Sequence, residues 1–333
     1  MSIKVAINGF GRIGRLAFRL MFGRDEFELV AINCTSGPDT VAHLLKYDSC
    51  HGVYKKDSIT AKEDTIEVDG IPVKVLAKRD PIDLPWKELG IDVVIECTGK
   101  FNKKEDAQKH IAAGAKKVLL SAPGKSDGIK TIVYNVNHDT LDSTDTIVSG
   151  SSCTTNCLAP VAKILDENFG IEKGYMTTVH AYTNDQRILD GTHKDLRRAR
   201  AAAENIVPTT TGAAKSVGIV LPKLLGRLDG YALRVPVKTG SLVDLTCELR
   251  TKVTAEQVNE VFVKNQSETI GVTNDPIVSS DIIGLSYGAL VDLKLTKIMD
   301  VDGKQFVKIV AWYDNEMSYT NQLVRLASYM ATM

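Results

Sequence analysis

The residues best suited to do chemistry lie in Ser-Ser-Cys-Thr-Thr-Asn-Cys-Leu-Ala-Pro, positions 151–160. From Leu158 the apolar residues fall at Leu158, Val161, Ile164, Leu165 and Phe169, the spacing of one helix face, and Gly170 stops the pattern. Cys153 is therefore expected at or just before a helix N-terminus. Unpaired backbone N–H groups and the positive end of the helix dipole favour a thiolate there, the nucleophilic form of cysteine. Its neighbours are hydroxyls and an amide, a poor core environment and a good one for an anion or an oxyanion. Cys157 has no further ligands clustered near it and reads as a packed, inert thiol, so no metal site is expected. A base is offered by His180, near the end of the alternating stretch Tyr-Met-Thr-Thr-Val-His-Ala-Tyr at 175–182. Two further stretches suit anions. Residues 184–203 carry Arg187, His193, Lys194, Arg197, Arg198 and Arg200, and a loop this long and basic suits a phosphate or a subunit contact. Thr209-Thr210-Thr211-Gly212 is a hydroxyl-rich turn ahead of a helical pattern.

A second kind of chemistry stands at the front of the chain. Ile3 to Asn8 reads as a short buried strand, and Gly9-Phe10-Gly11-Arg12-Ile13-Gly14 follows it directly, ahead of an amphipathic helix with Leu16, Phe18, Leu20 and Met21. Strand, glycine turn and helix in that order form a dinucleotide fingerprint, in which the glycines allow a tight turn and close approach of a pyrophosphate to the helix N-terminus. The second strand, Phe27 to Asn33, ends where an NAD site places a carboxylate on the ribose, about 20 residues past the third glycine. That place holds Cys34, then Thr35 and Ser36, with no carboxylate until Asp39. With no charge there to repel a 2′-phosphate, NADP is expected to be accepted beside NAD.

These groups need a scaffold of two domains, as 333 residues also imply at about 150 per domain. Strand patterns at Ile66 to Val68, Val73 to Leu76, Asp92 to Glu96, Lys117 to Leu120, Thr131 to Val136 and Thr146 to Val148 alternate in part with helical stretches such as Glu105 to Ala113. The fold class expected is α/β: a Rossmann dinucleotide-binding domain with a mostly parallel sheet, residues 1–151, followed by an α+β catalytic domain with a largely antiparallel or mixed sheet, residues 152–317. Thr98 and Ser121 follow strands and belong at the carboxyl edge of the first sheet, where ligands bind. The second domain draws on strands at Ala232 to Val237, Leu242 to Leu249, Tyr287 to Leu295 and Phe306 to Trp312 and a helix at Ala255 to Lys264. The segment 318–333 reads as a helix packing back on the first domain. Lys plus Arg and Asp plus Glu both number 41, which argues against nucleic acid or a membrane surface as the main partner. Six scattered cysteines, no leader pattern at the N-terminus and no apolar run of about 18 residues point to a cytoplasmic protein with free thiols.

A nicotinamide site and a thiolate together imply hydride removal from a thiol adduct of an aldehyde. The whole chain resembles the phosphorylating glyceraldehyde-3-phosphate dehydrogenase family. The resemblance rests on Ile7 to Arg15, His43 to Asp48, Ser152 to Pro160, Thr177 to His180, His193 to Arg200, Leu233 to Pro236 and Trp312 to Glu316. It implies that Cys153 attacks the aldehyde to give a thiohemiacetal, that His180 lowers the thiol pKa and acts as base, and that inorganic phosphate releases the resulting thioester as 1,3-bisphosphoglycerate. It assigns Thr183 and Arg234 to the phosphate of glyceraldehyde 3-phosphate, and Ser152, Thr154, Arg198 and Thr211 with Gly212 to inorganic phosphate. Gly9, Gly11, Arg12, Ile13, Gly14, Cys34, Thr35, Arg79, Thr98 and Ser121 fall to the cofactor, with Asn315 orienting the nicotinamide carboxamide. A homotetramer is implied, its basic 184–203 stretch near a subunit interface and Gly191-Thr192 reaching a neighbour's cofactor. Members that use NADP relax the positions of Cys34 and Gly191-Thr192, which agrees with dual use. An erythrose-4-phosphate dehydrogenase, or a binding protein that uses only the dinucleotide domain, remain the alternatives.

Overall fold

The computed structural model describes residues 2–333. They divide into two units, one holding the chain to Tyr134 with His138–Ser151 and Thr320–Met333, the other holding Asn135–Asn137 and Ser152–Tyr319.

The first unit is built on a nine-stranded sheet whose inner strands read IKVAIN, VVIE and KVLL, nearly continuous apolar runs of the kind that must be covered on both faces. Ile3–Asn8 pairs in parallel with Phe27–Asn33 on one side and Val93–Glu96 on the other. The chain thus builds outward on one side, then returns to build on the other. Its direction reverses at the carboxyl end of Ile3–Asn8, where an open α/β sheet opens its ligand crevice. Lys117–Leu120, Ile147–Ser149 and Lys130–Thr131 extend the sheet in parallel. On the far side Ile71–Leu76 pairs in parallel with Phe27–Asn33, and Thr65–Val68 and Ile59–Ala61 add an antiparallel edge. Asp69-Gly70, both at positive φ, make the two-residue hairpin turn behind that edge. The strand expected from Thr131 to Val136 stops at Thr131. Ile132 and Val133 stay in the core, but Asn135 takes φ +63° and the chain leaves the sheet.

The second unit carries an eight-stranded mixed sheet in the order Val207–Thr209, Leu228–Val235, Ile171–Ala181, Ser241–Leu249, Lys304–Tyr313, Ala289–Asp292, Ile270–Thr273, with Lys297–Val301 paired beside Lys304–Tyr313. Ser241–Leu249 alternates buried and half-buried residues, and the helices Cys153–Phe169 and Ala213–Val220 pack on this sheet. Tyr287 to Leu295, expected as one strand, pairs only over Ala289–Asp292. The Asp292 carboxylate accepts the Lys294 N–H at 3.2 Å and turns the chain into a short 3₁₀ turn.

The last helix, Met317–Ala331, is assigned to the first unit from Thr320 onward. There the Lys117 ammonium donates to the carbonyls of Met330 (2.7 Å) and Met333 (3.1 Å), a cation on the helix's carboxyl end. No helix among the described residues is long and apolar enough to cross a membrane.

Candidate active site

Cys153 is the first residue of the helix Cys153–Phe169. Ser152 caps it, its hydroxyl accepting the Thr155 N–H at 3.1 Å, and Ser151 before it takes φ +60°, a conformation costly for serine. His180 stands near the end of Ile171–Ala181, almost fully buried. Its Nδ1 lies 2.7 Å from the Ala181 carbonyl, which can only accept, so Nδ1 carries the proton. Nε2 is left bare and lies 3.4 Å from the Cys153 sulfur. Burial, then the charge of Arg234, push His180 down to about 3, so its imidazole is neutral. Burial pushes the Cys153 thiol up, opposed by Arg234 and by hydrogen bonds at the helix start. Arg234 is a cation beside the thiol that favours the thiolate, and the bare His180 Nε2 offers the thiol's proton an acceptor.

Arg234 reaches this place because Leu228–Val235 runs parallel to Ile171–Ala181 with Arg234 opposite His180. Its Nη1 donates to the Thr183 hydroxyl at 2.9 Å and to the Ala181 carbonyl at 3.3 Å, while its Nε is buried without a partner. Gln186 accepts the Thr183 N–H through Oε1 at 3.3 Å, and its Nε2 is also buried without a partner. Two unsatisfied buried donors tied to Thr183 suit an anion. Gln186 carried no signal in the sequence, since it sits inside a stretch read for its arginines.

Tyr313 was also passed over, although it lies two residues before Asn315 in a motif that stood out. Thr178 gives its hydroxyl proton to the Leu242 carbonyl, so the Tyr313 hydroxyl donates to Thr178 (2.8 Å) and accepts from Thr154 (2.9 Å). Its ring packs on His180 in a T-shaped contact with centroids 6.0 Å apart. The Thr154 hydroxyl proton is therefore committed inside the protein, unlike the free anion donor expected. Asn315 has its side-chain oxygen held by Ser241 Oγ (3.0 Å) and the Gly240 N–H (3.2 Å), which fixes the amide's orientation and leaves its NH₂ as the end available to a ligand.

Thr209, Thr210 and Thr211 line a cleft of about 690 Å³ together with Arg197, Lys215 and Tyr231. Thr211 Oγ1 accepts the Ala213 N–H at 3.2 Å, and Gly212 begins the helix Ala213–Val220. Arg198 braces this wall rather than lining the cleft: it donates to Thr209 Oγ1 (2.8 Å) and the Thr210 carbonyl (3.2 Å) and pairs with Asp185. Thr192 lies in an open hollow with Arg187, His193 and Lys194, its carbonyl accepting from Arg187 at 2.9 Å.

On the first unit a cleft of about 610 Å³ opens at the carboxyl ends of the strands. Gly9, Gly11, Cys34, Thr35, Arg79 and Thr98 line it. A Cβ on Gly9, which sits at φ +95°, would lie 2.6 Å from the Thr98 nitrogen, and one on Gly14 would lie 2.1 Å from the Gly9 carbonyl oxygen. Gly11 has nothing near its missing Cβ and starts the helix Arg12–Met21 without a side-chain cap. The three glycines thus serve tight turn, open approach and helix packing, the cradle a dinucleotide pyrophosphate requires. Arg12, Ile13, Gly14 and Ser121 are not among the lining residues. Arg12 pairs with Asp48, and with the backbone N–H groups of His51 and Cys50 it holds that carboxyl well below the usual range against the upward push of burial. Lys78 and Ser36 join the lining, and Cys34 gives its thiol proton to the Ser36 carbonyl at 3.3 Å.

A glycine cradle on one unit, beside a second unit in which a thiol faces a bare imidazole nitrogen, fits the class of oxidoreductases that use a nicotinamide dinucleotide. The model of the glyceraldehyde 3-phosphate dehydrogenase NAD binding domain matches residues 3–104, and that of the C-terminal domain of the same enzyme matches residues 152–315. Similar known proteins are the glyceraldehyde-3-phosphate dehydrogenases of Clostridium pasteurianum (58% identity) and Clostridium acetobutylicum (57%), each over 98% of both chains. That of Streptococcus pyogenes is 55% identical over 99% of both. The chain belongs to the glyceraldehyde-3-phosphate dehydrogenase family, and it is an NAD-dependent oxidoreductase.

Proposed function

We propose that the chain oxidises glyceraldehyde 3-phosphate with NAD and inorganic phosphate to 1,3-bisphosphoglycerate, with Cys153 as nucleophile and His180 as base. The observation that carries this reading is the bare Nε2 held 3.4 Å from the Cys153 sulfur by the bond from Nδ1 to the Ala181 carbonyl. Sulfur adds to the aldehyde carbon, and Nε2 passes the thiol proton to the carbonyl oxygen, giving a thiohemiacetal. NAD, when bound, supplies the hydride acceptor. Nε2 takes the hydroxyl proton as the hydride leaves, so a thioester on Cys153 remains and the proton is released to solvent. A phosphate oxygen then attacks the thioester carbon, and the sulfur departs.

Arg234 with Thr183 and Gln186 supports a site for the substrate's phosphate, since the unpartnered buried N–H groups of Arg234 and Gln186 match phosphate oxygens. Thr211 and Gly212 at a helix start, with Arg197 and Lys215 on the same cleft, support one for inorganic phosphate. Ser152 belongs to the helix start beside the thiol. Use of NADP beside NAD is supported by Cys34, Thr35 and Ser36 sharing their cleft with the exposed cations Lys78 and Arg79, and by the hydroxyl of Thr192 beside His193 and Lys194. A homotetramer is supported by Ile188, Leu189, Leu196 and Ile206, which are 87%, 77%, 81% and 66% exposed around the basic segment, and by Tyr175, Tyr231 and Phe306 exposed on the second sheet. Six free cysteines suit a reducing, cytoplasmic setting. The test is steady-state NADH formation from glyceraldehyde 3-phosphate, which is expected to require inorganic phosphate. Turnover that continues unchanged without it would contradict the reading.

A further inference from the structure

We propose that Glu96 is the positioning residue of the dinucleotide cleft, a buried carboxylate on which hydrogen bonds from both cleft walls converge. The proposal rests on the reading of this cleft as the NAD site. Backbone groups and Trp86 set the direction of every bond in the network. The Lys78 N–H donates to Asn33 Oδ1 at 2.9 Å, so Asn33 Nδ2 donates to the Lys78 carbonyl (2.9 Å) and to Asn8 Oδ1 (2.6 Å). That leaves Asn8 Nδ2 to donate to Glu96 Oε2. From the core, the Trp86 indole N–H donates to His110 Nδ1 at 3.0 Å, so His110 carries its proton on Nε2 and gives it to Glu96 Oε2 at 3.1 Å. From the opposite wall Thr98 donates its backbone N–H (2.7 Å) and its hydroxyl to Glu96 Oε1.

Four donors therefore meet one side chain that is fully buried. An amide in its place would set N–H against N–H at either end, so the position requires a carboxylate and not merely a polar side chain of that size. Asn8, Asn33, Lys78 and Thr98 all line the cleft; Asn8 and Asn33 end their strands, and Lys78 and Thr98 lie two residues past the ends of two others. Glu96 does not line it. It fixes the spacing of the residues that do, joining the Cys34 and Lys78 side of the cleft to the Thr98 side through one acceptor.

The test replaces Glu96 by Gln in the full-length enzyme and measures NAD binding by quenching of protein fluorescence, steady-state KM and kcat, and the alkylation rate of Cys153. The expected result is a KM for NAD raised at least about tenfold, with kcat at saturating NAD and alkylation within about twofold of wild type. Combining Glu96→Gln with Asn8→Asp moves the carboxylate one node along. Asn33 Nδ2 and His110 Nε2, the latter 3.4 Å from Asn8 Nδ2, still meet an acceptor, while the amide at 96 donates toward it and accepts from Thr98. This pair is expected to lower the KM at least about threefold from that of the single variant. Should Glu96→Gln fail to fold, Glu96→Asp keeps the charge but withdraws it by one methylene, and a KM raised at least about threefold at constant kcat supports the proposal. An unchanged KM in either single variant, a paired variant no better than Glu96→Gln, or KM, kcat and alkylation all failing together would overturn it. Wild-type protein that does not bind NAD would overturn the NAD reading, and this proposal with it.

Discussion

The dinucleotide cleft and the thiol site are built on opposite plans. The cleft is lined by backbone, by glycines whose missing side chains leave room and by a helix start left without a cap, with the buried Glu96 carboxylate behind its walls, and its cations Lys78 and Arg79 stay exposed. The thiol site is shaped by buried side chains, and burial drives Cys153 and His180 toward their neutral forms beside one cation, Arg234. A site that must hold a long anionic ligand keeps its charge in reach of water. One proposed to move a proton and form a bond to carbon hides its groups and lets Arg234 bias them.

The largest effect expected is at the thiol. Cys153→Ser should lower kcat more than about a hundredfold, a loss of at least about 2.7 kcal/mol, while NAD binding stays within about twofold. Loss of NAD binding in parallel would break the separation of the two sites. Next, His180→Asn should lower kcat about a hundredfold and move the alkylation profile of Cys153 to higher pH, because the proton then has no neutral acceptor beside the sulfur. An unmoved profile would remove His180 from thiol activation. The same variant tests the burial of the imidazole. His180 is held at about 3 in the folded chain against an ordinary 6.5, so between these values the unfolded chain binds more protons. Stability contributed by this residue is complete above about pH 6.5 and is lost as pH falls toward 3, a slope that thermal unfolding should find reduced in the variant.

How much of each site was legible in the sequence follows from the same contrast. Gly9, Gly11 and Gly14 lie within six residues and answer to local geometry, so order and spacing sufficed, and the helix beginning at Cys153 was readable from its own periodicity. The partners of Cys153 come from strands 27 or more residues away, and which side chain meets the sulfur depends on register, with His180 opposite Arg234 across a parallel pair. The family resemblance supplied those names, but not that Tyr313 takes the Thr154 proton, that Gln186 offers a bare donor, or that Arg198 is a brace. The Thr131–Val136 and Tyr287–Leu295 expectations overran because apolar runs say where chain is buried, not where it stops pairing. The first run stops pairing at Thr131 and turns away at the left-handed Asn135, and Asp292 ends the second strand through a side-chain bond.

Smaller effects sharpen the comparison. Arg234→Leu should raise the KM for glyceraldehyde 3-phosphate roughly tenfold to a hundredfold, about 1.4 to 2.7 kcal/mol, and leave the KM for NAD unchanged. A change in the NAD value alone would place Arg234 at the wrong ligand. The smallest effect is expected at Cys34. Cys34→Asp should raise the ratio of kcat/KM for NAD over NADP about tenfold by restoring a charge that repels a 2′-phosphate. An unmoved ratio would show that this strand end does not set cofactor choice.

The most direct measurement of the central claim is a rapid mix of enzyme, NAD and glyceraldehyde 3-phosphate without inorganic phosphate, followed by mass analysis of the quenched protein. A burst of about one NADH per chain is predicted, with the acyl group on the peptide containing Cys153 and discharged when phosphate is added. A burst that leaves Cys153 unmodified, or an acyl group found on another residue, would contradict the account.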